Sequence, residues 1–270
     1  MTHYGMAVPA ALLLATLSIP SAGQVSEDTS SIQTAAQAAD PSKPAQRDLS
    51  PEDLADILMA RKEFREAAVS YKKLADSNPK NAVYWNKLGI ALHQQAELSG
   101  ALKYYQQAMK VNPNYADAQN NIGTIYYQRK KFGKAIRSYQ RAIKMRADMA
   151  VLYSNLGYAY FGDKKYEESI AAFRQALALD PQLFDHNSSR GGSVLQDRSV
   201  SDRGRFYFLL AKSFAEAGNF ERSLIYLRKA KEEGYASMNQ VKTDPAFSAI
   251  LKLPETQEIL LPKSADQTLP

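Results

Sequence analysis

The sequence predicts an all-α solenoid of about five helix-turn-helix repeats closed by a C-terminal helical cap. Three observations predict it. First, eight positions recur at a spacing of 34 residues. Trp85, Leu88, Gly89, Leu92, Ala101, Tyr105, Ala108 and Pro113 mark one unit. Gln119, Ile122, Gly123, Tyr126, Ala135, Tyr139, Ala142 and Ala147 mark the next, and Tyr153, Leu156, Gly157, Tyr160, Ser169, Phe173, Ala176 and Pro181 a third. A fixed period of this length is the mark of stacked helix hairpins, each burying its neighbour's open face. Second, a small residue early in each unit (Ala55, Gly89, Gly123, Gly157, Ala211) is matched by an aromatic ring later in the first four (Tyr71, Tyr105, Tyr139, Phe173). Helices that cross closely need the small residue, and the ring fills the space beside it. Third, Pro79, Pro113 and Pro181 end the second helix of a unit, because proline removes a helical donor and clashes with the preceding turn. Ala147 lacks that stop, so the turn after the third repeat is expected to be less sharply fixed.

Taken in order, residues 1–23 carry no Lys, Arg, Asp or Glu, and Met6–Ile19 is almost wholly apolar before Ser21-Ala22-Gly23. This is the layout of a secretory signal peptide cleaved near Gly23, which predicts a periplasmic or secreted protein. Fourteen helical residues rise only about 21 Å against a bilayer core of about 30 Å, so no membrane span is expected once the signal is removed. An uncleaved anchor and a disordered cytosolic terminus are the alternatives, because the n-region offers only the α-amino group and His3. Residues 24–47 are rich in Ser, Ala, Gln, Thr and Pro and read as a disordered linker.

Order is expected to begin at Ser50-Pro51-Glu52-Asp53, where serine can cap a helix, proline suits its first position and Asp53 approximates the acid of a capping box. Repeats are placed at about 48–81, 82–115, 116–149 and 150–183. The segment 184–203, with its Gly, Ser and mixed charge, reads as a loop insertion, and a fifth repeat follows at 204–235. Residues 236–262 keep an apolar rhythm broken by Pro245 and Pro254, which predicts two short helices covering the open end; 263–270 reads as disordered.

The repeat closely resembles the tetratricopeptide (TPR) repeat, over residues 48–235 and more loosely through Lys242-Thr243-Asp244-Pro245-Ala246-Phe247. The resemblance implies a non-catalytic scaffold that binds a protein or peptide partner in a concave groove lined by the first helix of each repeat. Carried over position by position, it assigns the groove to Asn86, Asn120, Asn121, Tyr127, Asn155, Tyr158 and Phe161, with Ile90, His93, Gln94, Thr124, Gln128, Ser154, Phe208 and Lys212 beside them. Asparagine amides both donate to and accept from a peptide backbone, and rings add stacking area. Asn121 and Asn155 resemble the asparagine ladder with which the repeat arm of O-linked N-acetylglucosamine transferase grips extended peptides. Lys87 and Leu209 interrupt the row. The carboxylate clamp of chaperone-binding members is not matched: its five positions here hold Asn86, Ile90, Asn121, Val151 and Asn155.

Composition limits the alternatives. The chain has 270 residues, no cysteine and a net charge of +6. Disulfides and thiolate chemistry are excluded, and the charge falls short of the dense basic character of a nucleic-acid binder. The three histidines are scattered, at His3, His93 and His186, and no phosphate-binding loop or nucleophile elbow is present, so neither enzyme, cofactor nor metal is expected. One charge feature stands apart. Between Asp117 and Asp148 there is no acidic residue, and Lys134, Arg137, Arg141 and Lys144 share one helix face opposite the packing positions. That basic convex stripe gives a second expectation, contact with an anionic lipid or polymer surface, against the blander one of a face neutralised by Glu167 and Glu168.

Overall fold

A computed structural model of the chain describes residues 49–184 and 202–261. Every regular element among them is helical. The helices run α1 (Pro51–Ala60), α2 (Phe64–Ser77), α3 (Ala82–Gln94), α4 (Leu98–Val111), α5 (Ala116–Gln128), α6 (Phe132–Met145), α7 (Ala150–Gly162), α8 (Tyr166–Leu179), α9 (Arg203–Glu216), α10 (Phe220–Glu232) and α11 (Pro254–Leu260). They pack as consecutive antiparallel pairs, α1 with α2 through α9 with α10, and each pair leans on the next. The first helices α3, α5 and α7 also approach one another, and no pair of second helices does so to the same extent. The first helices therefore form the inside of the curve.

The start of the array follows its local chemistry. Asp53 N–H donates to Ser50 Oγ at 3.0 Å, Ser50 N–H donates back to Asp53 Oδ2 at 3.2 Å, and Pro51 opens α1. Inside each hairpin, the turn between the two helices holds a residue in the left-handed region at Lys62, Ala96, Lys130 and Lys164, 34 residues apart, and at Gly218 in the last hairpin. Of these only Gly218 lacks the Cβ that this conformation disfavours, so the first four turns are held by packing on either side.

That packing is the small-residue and ring pair. An ideal Cβ on Gly89 would lie 2.6 Å from the Tyr105 ring, one on Gly123 2.6 Å from Tyr139, and one on Gly157 2.6 Å from Phe173. Tyr105, Tyr139 and Phe173 are fully buried. The hairpin thus closes until ring meets backbone, which a methyl group would prevent.

Two expectations change. The turn after the third repeat is as tight as the others without proline: α6 ends at Met145, Arg146 adopts the extended cap backbone of Asn112 and Asp180, and α7 starts at Ala150. The tail is not two short helices. It is a 3-10 turn Met238–Lys242, a second 3-10 turn Pro245–Phe247 capped by Asp244, and α11, each proline opening a segment. Of the segment read as an insertion, residues 185–201 lie outside the described residues, as do the signal, the linker and residues 262–270. Phe184, read as loop, instead packs between Phe173 (centroids 5.7 Å) and Phe214 (6.0 Å).

Candidate functional site

The inner face is built by residues that the 34-residue period brings into rows on α3, α5 and α7. Its centre is a chain of asparagines. Asn121 Nδ2 donates to Asn86 Oδ1 at 3.1 Å across the second and third repeats, and Asn155 Nδ2 donates to Asn120 Oδ1 at 2.9 Å across the third and fourth. Asn120 Nδ2 reaches Asn121 Oδ1 at 3.5 Å, and Asn86 Nδ2 reaches the Tyr115 hydroxyl at 3.4 Å. All four asparagines are buried, Asn120 and Asn155 completely. The sequence places these amides on the groove for a ligand's backbone. The structure brings them together and gives them one another as partners, because positions 35 residues apart on neighbouring first helices meet side by side. In a buried setting such mutual bonds satisfy groups that would otherwise be costly to desolvate.

The aromatic residues are likewise engaged. Tyr127 meets Phe132 edge-on at 5.5 Å. Tyr158 stacks on Phe206 at 5.1 Å and meets Phe173 edge-on at 5.4 Å, while Phe161 packs on Phe206 at 5.5 Å and Tyr166 at 5.6 Å. Phe206, which sequence reasoning left out, is thus the hub that fastens the fourth repeat to the fifth. Its position precedes the repeat's marked residues, and nothing in the 34-residue pattern singles it out.

At the fifth repeat the inner face is taken by the chain's own tail. Phe208 lies 4.8 Å from Tyr235 and 5.5 Å from Phe247, and Lys212 Nζ lies 2.9 Å from Asp244 Oδ2. Asp244 therefore both caps its 3-10 turn and neutralises Lys212. Burial opposes the charge on Lys212, but the hydrogen bond and field of Asp244 outweigh it and raise the ammonium's pKa.

The other end differs again. Lys87, which breaks the asparagine row, pairs with Asp56 at 2.8 Å and Glu52 at 3.1 Å on α1. The Tyr71 hydroxyl also donates to Asp56. Burial raises the Asp56 pKa, yet the hydrogen bonds from Lys87 and Tyr71 together hold it below the ordinary value. The rung is replaced by an ion pair that joins the first repeat to the second. Next to it the face is open: Val83 is 40% exposed, Ile90 is half-buried, and Gln94 and Gln128 are exposed. His93 Nε2 lies 2.9 Å from Gln128 Oε1, an acceptor to which it donates, and His93 Nδ1 lies 3.4 Å from the Tyr105 hydroxyl. Burial lowers the His93 pKa, and the Gln128 bond only partly offsets it.

On the opposite side, Lys134, Arg137, Arg141 and Lys144 are all exposed along α6. None of them has an ion pair among the described residues, and Glu167 and Glu168 do not neutralise them. Lys134 lies over the Tyr126 ring, 5.6 Å from its centroid. Among the described residues no group of three His, Cys, Asp or Glu is placed to hold a metal ion, and no helix is long and apolar enough to cross a membrane.

These features belong to one class: paired helices repeating every 34 residues, with small residues under rings and an inner face of first helices. A family model described as "TPR repeat" matches residues 92–129 and 123–164, and two described as "Tetratricopeptide repeat" match residues 52–110 and 150–183. The chain is a tetratricopeptide-repeat protein. Similar solved structures include a crystal structure of MamA, 20% identical, with 70% of this chain and 98% of that one covered at a TM-score of 0.48. MamA from Desulfovibrio magneticus RS-1 is 18% identical, covering 72% and 96%, with a TM-score of 0.49. YrrB, a TPR protein with an unusual peptide-binding site, is 16% identical, covering 72% and 89%, with a TM-score of 0.46. No curated protein matches the sequence. Arrays of this class are interaction scaffolds, whose curvature creates an extended concave binding surface.

Proposed function

We propose that this chain is an exported scaffold that holds an extended segment of a protein partner on its inner face, at the open end formed by α3 and α5. One observation carries this reading. Along the row of first helices, the α7 and α9 portions are filled by the protein's own aromatic rings and tail, while Val83, Ile90, Gln94 and Gln128 remain accessible. Two apolar side chains beside two amides can bury side chains and satisfy a backbone in one stretch. The buried asparagine chain holds the three first helices in register behind that surface. Export rests on residues 1–23, and intact-mass measurement of the native protein checks it: a mature chain beginning near Gln24 supports export, and a cytosolic species retaining Met1 contradicts it.

The binding test is a selection. The immobilised full chain is used to select peptides from a displayed random library, and their affinities are measured against wild type and Ile90→Asp. Loss of binding with unchanged melting supports the proposal. Selected peptides that bind the variant equally well contradict it.

A further inference from the structure

The outer surface carries a feature that capture on the inner face does not use. Arg141 of α6 stands between two recesses. One, of about 410 Å³, lies between α4 and α6 and is lined by Met109, Ile122, Tyr126 and Ser138. The other, of about 500 Å³, lies between α6 and α7 and is lined by Ile143, Tyr153 and Leu156, with Arg137 and Lys144 at its rim. Both exist because the second helices splay apart on the outside of the curve and uncover the apolar shoulder of the next first helix.

The charge at this place is unbalanced. Lack of an ion pair is common among the described residues, since Arg65, Lys80, Lys103 and Lys110 also have none, so what marks this face is that its cations cluster in an acid-free stretch. Lys134, Arg137, Arg141 and Lys144 have none among the described residues, and the 30 positions from Ala118 to Ala147 contain no Asp or Glu to supply one. Four unpaired cations in a row call for an anionic occupant. The recesses define its form. The large exposed apolar residues (Leu49, Leu54, Val69, Val83, Leu179, Phe220, Leu253 and Leu261) all lie off α5 and α6, so this face has no wedge to insert among lipid tails, whereas it has hollows that receive side chains.

We infer that the α6 face docks an extended acidic segment of a partner protein, with carboxylates on Arg137, Arg141 and Lys144 and an apolar side chain in each recess. The recesses flank one helix, whose diameter is about 10 Å. A chain in the polyproline II conformation advances about 3.1 Å per residue with about three residues per turn, so two apolar residues three apart point to the same side and span that width with acidic residues between them.

The probe is a fluorescein-labelled peptide Glu-Asp-Leu-Glu-Asp-Leu-Glu-Asp, compared with the same peptide carrying serine for leucine, by anisotropy on the full chain. The leucine peptide is expected to bind roughly tenfold more tightly, since burying even part of two leucines exceeds the 1.4 kcal/mol that a factor of ten requires. Binding should weaken with added salt, and fall about tenfold in Arg137→Gln with Arg141→Gln while melting and the Ile90→Asp comparison stay unchanged. Equal binding of the two peptides would show a charge-only surface and overturn the inference. So would binding to vesicles of phosphatidylglycerol and phosphatidylcholine without binding to the peptide, undiminished binding by the double variant, or failure of both peptides to bind.

Discussion

Gly123 and Tyr139 share one space: a methyl group on the glycine would lie 2.6 Å from the ring. The same relation holds between Gly89 and Tyr105 and between Gly157 and Phe173, so it sets how closely each hairpin closes. Gly123→Ala should therefore destabilise the array by about 1–3 kcal/mol, the usual cost of overpacking. Gly133→Ala provides the contrast, because its Cβ would meet nothing nearer than Arg137 Nη1 at 3.8 Å. There the loss of backbone freedom in the unfolded chain dominates, and stability should rise by about 0.5–1 kcal/mol. Chemical denaturation of the two variants measures both signs.

Gly218 tests backbone conformation without packing. Its φ is +77° and a Cβ there would meet nothing within 4 Å. Gly218→Ala should cost about 1–2 kcal/mol from the left-handed conformation alone. A variant of wild-type stability would mean that the last hairpin turn relaxes freely.

The asparagine chain makes a different demand. Asn120 accepts from Asn155 and donates to Asn121, wholly buried. Asn120→Ala should leave those partners short of a bond and cost about 1–3 kcal/mol. The pair Asn121→Ala with Asn155→Ala should also lower the melting temperature, which makes it unsuitable as a pure binding mutant. Thermal melts of both variants decide this.

His93 gives the array a pH dependence. Its folded pKa lies below the ordinary value near 6.5, so the unfolded chain binds the proton more readily. The contribution is fully present above pH 6.5 and is lost as pH falls through that value toward the folded pKa. Stability should decline as pH falls below about 6.5, and His93→Gln should flatten that part of the curve. Denaturation midpoints across the range measure it.

The fold was legible because packing imposes a period. Gly123, Tyr139 and their equivalents are single-residue solutions to one recurring contact, so they repeat in the sequence as they repeat in space. The groove was legible only as a set of positions. Whether Asn120 faces solvent or Asn155 depends on the stagger of neighbouring first helices, which no single repeat encodes. Phe206 and Phe247 act across the irregular parts of the array, between repeats four and five and between the fifth repeat and the tail, where periodicity carries no signal. The α6 face was readable as a run of cations, but its recesses arise from the splay of the second helices.

Hydrogen–deuterium exchange of the full chain, with and without a library-selected peptide, tests whether partners are held on the inner face at α3 and α5. Slowed exchange is expected to concentrate in Ala82–Gln94 and Ala116–Gln128. Protection confined to α4 and α6, or to the tail from Met238 onward, would contradict it.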